Sequence, residues 1–174
     1  MISGVRDLEN ISDLAALCPR YFCFDFRSSS PSYLGEIDEA LLSVIPSEIR
    51  KIGIFDTQDS LYISYVAGRF SLWGVQIEGD IAPRTLEVLV AEGLEIIKVI
   101  HRVSDIEAYE GVCNKFLIRD VAVLGSYSSP TPLIVDSSLW ERGSGHIVEF
   151  GSDFDSSIAF KNREKIEDWI KANS

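Results

Sequence analysis

The chain has 174 residues, 46% hydrophobic and 25% charged, with 27 acidic against 16 basic side chains and a formal net charge of -11. This composition suits one globular domain, 1–174, and is too apolar for intrinsic disorder. The acidic balance, with no basic run, excludes a phosphate-neutralising nucleic-acid surface. Apolar runs span only a few residues, far below the roughly 20 of a membrane span. Met1-Ile2-Ser3-Gly4 lacks the charged and apolar regions of a secretory leader, so a cytoplasmic location is expected.

In chain order, Met1 to Ser3 reads as a very short strand leading into a helix that Asp7 caps, with Leu8, Ile11, Leu14, Ala15 and Cys18 on its apolar face. Buried strands follow at Tyr21–Phe26, Ile52–Phe55 and Leu72–Ile77. Pro83 opens a helix striped by Leu86, Leu89 and Val90, which Gly93 ends. A strand at Ile96–Ile100 precedes a helix whose capping box is Ser104 with Glu107. Strands at Phe116–Ile118, Leu133–Val135 and Ile147–Phe150 complete the series. Asn162 opens a last helix with Ile166, Trp169 and Ile170 inward.

Near-continuous apolar strands alternating with helices predict a parallel sheet covered on both faces. Eight such repeats predict an α/β fold, a (βα)8 TIM barrel; an open doubly wound sheet is the alternative, but its Gly-x-Gly-x-x-Gly turn is absent. Such barrels usually exceed about 200 residues, and a βαβ unit needs about 30 or more. Between Asp120 and Gly151 the chain is too short for two units, and 122–132 is rich in Ser, Gly and Pro. Helices 6 and 7 are therefore expected to be reduced or missing. Their loss would bare the outer surface of strands 6 and 7, which a homodimer or a protein partner would cover.

Cys18, Cys23 and Cys113 have no Cys-x-x-Cys spacing, and two of them fall at apolar positions where a thiol packs as a small hydrophobe. His101 and His146 stand alone, so no metal site and no cofactor is expected.

Four stretches carry a family resemblance. They are Ile2-Ser3-Gly4-Val5-Arg6-Asp7-Leu8-Glu9-Asn10-Ile11, Ser30-Pro31-Ser32-Tyr33-Leu34-Gly35, Val75-Gln76-Ile77-Glu78-Gly79-Asp80, and Ala108 to Cys113 followed by Phe116-Leu117. In this order they resemble the first strand and helix, the strand-two loop, the end of strand four and the approach to strand six of the phosphoribosylanthranilate isomerases. The likeness covers roughly residues 1 to 120 and resumes weakly over 151–170.

The resemblance implies an Amadori rearrangement in tryptophan biosynthesis, an intramolecular aldose–ketose isomerisation. It needs a general acid to open the ribose ring and a base to take a proton from carbon 2. The family's base is a Cys on strand one and its acid an Asp on strand six. Here Ser3 stands at the base position and Arg119 at the acid position; a hydroxyl needs its own activating base, and a guanidinium gives up no proton near neutrality. Asp120 follows Arg119, but strand alternation aims it away from the barrel axis unless a bulge turns it back. A rival alignment makes Asp136 the acid, with Gly143-Ser144-Gly145 as its glycine loop and two later strands lost.

By the same resemblance, substrate-binding positions are Ser32 (where the family has Arg), with Arg27 nearby as a substitute or a solvated surface residue, Gln76, Glu78 (where the family has His), Gly151 and Ser152. Asp136-Ser137-Ser138 replaces a glycine pair in the strand-seven phosphate loop, and Asp153 follows Ser152 in the strand-eight loop. The expected ligand class is small and phosphorylated or anionic, opposed by these carboxylates. Three functions follow: a divergent homologue with the family reaction impaired or lost, an active isomerase using Asp120 or Asp136, and a non-catalytic binding or partner protein on the same barrel. New chemistry on the old scaffold would draw on Asp25, Asp56, Glu78, Arg119 and Asp136.

Overall fold

The computed structural model describes residues 1–35, 42–56 and 59–174. Strands β1 (Ile2–Ser3), β2 (Tyr21–Asp25), β3 (Arg50–Phe55), β4 (Gly74–Ile77), β5 (Glu95–Ile100), β6 (Lys115–Ile118), β7 (Leu133–Asp136) and β8 (Ile147–Glu149) form one sheet in sequence order. Every neighbouring pair is parallel. Phe150, just past β8, bridges Ile2 in parallel, with its N–H on the Met1 carbonyl at 2.8 Å and the Ser3 N–H on its own carbonyl at 3.1 Å. The last strand thus meets the first, and the barrel expectation holds over the open sheet.

The near-continuous apolar strands have a simple cause. Alternate side chains enter two separate cores. Tyr21, Cys23, Ile52, Ile54, Ile97, Val99, Leu117 and Ile134 fill the barrel interior. Phe22, Phe24, Phe55, Val75, Ile96, Phe116 and Val135 face the outer layer. The described outer helices are Leu8–Ala15, Ser60–Arg69, Pro83–Ala91, Val103–Tyr109, Val121–Gly125 and Arg163–Asn173. Asp7 and Asn162 cap the first and last by accepting the backbone N–H groups of Asn10 and Lys165. Pro83 takes the first position of its helix.

Several local readings need correction. The helix expected to start at Ser104 begins at Val103 with Arg102 as its cap and no side-chain capping bond; Arg102 pairs with Asp105 at 3.1 Å instead. Cys18 lies past the first helix, exposed, at φ 48°. Ile170 is 39% exposed, because the last helix presents only Ile166 and Trp169 to the core. The helix Ser60–Arg69 has no clear sequence signature, because exposed Leu61 and Tyr65 blur the stripe of Ile63, Val66 and Ala67.

The helix after β6 has five residues, and no helix separates β7 from β8, as the spacing requires. The expected bare strands do not follow, however. Phe116, Ile118 and Val135 are fully buried. Tyr127 meets Phe116 edge-on at 6.4 Å, and Leu139 and Trp140 pack on the same core. Trp140 in turn abuts Trp169, which abuts Phe150. Large aromatic side chains on short connections cover what helices usually cover, so the described outer faces of strands 6 and 7 are not bare as expected.

Candidate functional site

The C-terminal strand ends open into a cavity of about 340 Å³. β1 brings Ser3, and Gly4 turns away from it at φ 76°, a left-handed backbone that suits glycine. β2 and the loop after it bring Asp25, Arg27 and Ser30 to Ser32. Glu78, Arg119, Asp136 and Glu149 come from the ends of β4, β6, β7 and β8. Gly151 to Asp153, then Asp155 and Lys161 from the hairpin of β9 (Asp155–Ser157) and β10 (Phe160–Lys161), complete the rim.

One charged lattice crosses this mouth. Arg119 Nε and Nη2 donate to the two oxygens of Glu149, each at 2.7 Å. Its Nη1 donates to both oxygens of Glu78 at 3.1 Å. Ser3 Oγ donates to Glu149 Oε1 at 2.8 Å, and Gln76 Nε2 to Glu78 Oε1 at 2.6 Å. Burial opposes the charge of Arg119, but the hydrogen bonds and field of Glu149, then of Glu78, drive its pKa above the ordinary arginine value. Arg27 holds Asp25 through Nε at 2.9 Å and Nη2 at 2.6 Å, and lies 4.0 Å from Glu78. Burial works against the Asp25 carboxylate as well, yet the bonds from Arg27 leave its pKa below the usual range. Lys161, its side chain 1% exposed, pairs with Asp155.

The candidate residues therefore divide. Ser3, Arg119, Arg27, Ser32, Glu78, Asp136, Gly151 and Ser152 all line the cavity. Gln76 sits fully buried beneath Glu78, its Oε1 without a hydrogen-bond partner among the described residues. Arg27 is a mouth residue rather than a solvated surface one. Asp120 is not at the mouth: it caps the five-residue helix by accepting the N–H groups of Ala122 and Val123. No bulge turns it inward; β6 pairs in regular register with β5 and β7. Asp136 ends β7, not β6, which overturns the rival alignment; its Oδ1 accepts from the Ser138 N–H and hydroxyl. Sequence reasoning missed Glu149 and Lys161. Glu149 was legible only as the lone charge of an apolar strand, in step with inward Ile147; the exposed hairpin around Lys161 gave no signal.

The cavity is lined by six carboxylates against three cations. Each cation is bound to a carboxylate, while the carboxylates of Asp136 and Asp153 form no ion pair among the described residues; Lys165 Nζ donates to the Asp153 backbone carbonyl instead. The thiol nearest Ser3 belongs to Cys23, its register partner on β2. Burial pushes that thiol up to about 12, with the field of Glu149 adding to the rise. Cys113 is likewise raised to about 12 by burial. Iodoacetamide at pH 8 should then label only Cys18 in the native chain, and all three cysteines in urea; mass spectrometry counts the adducts. Because both buried thiols titrate above their unfolded value, the stability they add is complete below about pH 9 and is lost as pH rises toward 12.

No family model matches the chain. It is 26% identical to N-(5'-phosphoribosyl)anthranilate isomerase of Phocaeicola vulgatus over an alignment of 197 positions, covering 97% of this chain and 94% of the relative. That alignment exceeds the 174 residues present, so the relative carries residues this chain lacks. The isomerase of Rhodospirillum centenum is 28% identical over 136 residues, 74% of this chain and 64% of the relative. The crystal structure of the Thermus thermophilus enzyme superposes with a TM-score of 0.82 at 16% identity, covering 98% of this chain and 97% of that one, a likeness of fold.

Proposed function

We propose that this chain, a shortened and divergent member of the phosphoribosylanthranilate isomerase family, keeps the family's barrel and mouth but has exchanged the acid–base pair of its reaction for a fixed ion lattice. One observation carries this reading. Arg119, at the position the resemblance gives to the acid, is bound on three nitrogens by Glu149 and Glu78. An arginine in that setting supplies no proton to open a ribose ring. On the base side, Ser3 spends its hydroxyl proton on Glu149, and the oxygens of Glu149 accept from Ser3 and Arg119. Cys23 lies below, sealed and protonated at neutral pH.

The family's substrate is anionic, and the excess of carboxylates at this mouth works against it. The reading is therefore a barrel that binds a small polar ligand at its mouth without performing the Amadori rearrangement. Of the two carboxylates the active reading names, Asp120 caps a helix and Asp136 lines the cavity, with its Oδ1 committed to Ser138. Expressed in a tryptophan auxotroph that lacks this isomerase, the soluble chain should give no growth without tryptophan. Growth that Asp136→Asn abolishes would establish the active reading instead.

A further inference from the structure

We propose a second ligand site on the opposite, N-terminal face of the barrel, for a small carboxylate with an aromatic body. There a cavity of about 470 Å³ opens between residues 42–49 and the turn 71–73, at the start of β3. Its floor is apolar: Leu42, Ile49 and Leu72 are buried at 1%, 6% and 8% exposure. Two cations, Arg50 and Lys51, stand at its edge.

Neither has a carboxylate partner among the described residues, in a chain whose acidic side chains far outnumber its basic ones. Arg50 is held by stacking rather than by charge: its guanidinium carbon lies 3.8 Å from the centre of the Trp73 ring. Trp73 is braced in turn by Tyr21, with ring centres 5.9 Å apart. Lys51 is held by a single bond from Nζ to the Phe70 carbonyl, at 2.8 Å. Burial alone lowers its pKa, with no acidic neighbour to offset it.

A stacked guanidinium keeps its N–H edges free in a fixed plane, the geometry that receives a carboxylate on two parallel bonds. A volume of this size with an apolar floor and a few fixed polar groups fits a small-molecule pocket. A polyphosphate would leave the floor unused, and a neutral aromatic would leave both cations unmatched. An aromatic monocarboxylate satisfies both halves. The site is independent of the mouth and of the reading given for it.

Titrating ¹⁵N-labelled protein with benzoate at pH 7 should give saturable shifts at the Ser71 and Leu72 amides and the Trp73 indole N–H. Benzyl alcohol, the same ring without charge, should bind at least about tenfold more weakly. Arg50→Gln and Lys51→Gln, each with a dispersed native spectrum, should each weaken benzoate about tenfold, whereas Asp136→Asn at the mouth should leave it unchanged. Equal affinity for the alcohol, unchanged affinity in both variants, shifts confined to 151–153, or no saturable shift would overturn the site.

Discussion

Replacing Arg119 with methionine lowers the unfolding free energy by about 2–3 kcal/mol at pH 8. The figure sits at or below the low end of the 3–5 kcal/mol for breaking a buried pair, because Arg119 itself is 38% exposed. The loss arises on the partner. The Glu149 side chain is 1% exposed, and without the guanidinium Ser3 is its one remaining hydrogen-bond donor among the described residues, with the field of the buried Met1 ammonium beside it. An unpaired charge in that buried position is costly, whereas Arg119 and Ser3 together satisfy it in the parent chain. Urea denaturation of the parent chain and the variant measures the deficit. The double variant Arg119→Met/Glu149→Met should recover most of the stability, since well-packed apolar groups replace a buried pair at little cost. A double variant no more stable than Arg119→Met alone would mean that the loss does not arise on Glu149.

Gly74→Ala has a comparable effect through sterics alone. A Cβ at Gly74 would stand 2.5 Å from the backbone carbonyl oxygen of Glu95, its register partner on β5. Neither atom belongs to a flexible side chain, so relief requires β4 and β5 to part within a closed barrel. Overpacking of this kind costs about 1–3 kcal/mol and more where backbone must move. The expected outcome is a loss of about 3 kcal/mol, or failure to accumulate as soluble protein. At Gly93, where the added carbon meets nothing within 4 Å, the cost of alanine comes instead from φ 88° and should be nearer 1 kcal/mol. The ratio of the two, read from urea midpoints, separates close strand approach from turn conformation.

Much of the fold was legible because a barrel strand buries both faces. Tyr21 to Phe26 and Ile96 to Ile100 read as strands without help from homology, each within one residue of the strand formed, and Asp7, Pro83 and Asn162 marked helix starts by local chemistry. The missing helices were legible as a length deficit, but what replaces them was not. Tyr127 and Trp140 act through contacts with Phe116 and Trp169 that no local pattern encodes. The mouth divides the same way. Alternation along β6 correctly sent Arg119 inward and Asp120 outward, and the resemblance brought Ser3, Glu78 and Gly151 to the cavity. Glu149 was invisible as a site residue because its meaning comes from Arg119, 30 residues away, and Ser3, 146 away. A charged lattice joining β1, β4, β6 and β8 has no sequence signature beyond its isolated members.

The central claim is that Arg119, bound to Glu149 and Glu78, stands where an acid would have to act. The most direct test supplies purified, monodisperse protein with N-(5'-phosphoribosyl)anthranilate and follows its conversion to the aminoketose at neutral pH. The account predicts no conversion above the uncatalysed rate, for the parent chain and for Asp136→Asn alike. Enzyme-dependent conversion by the parent chain that disappears in Ser3→Ala or Asp136→Asn would contradict it.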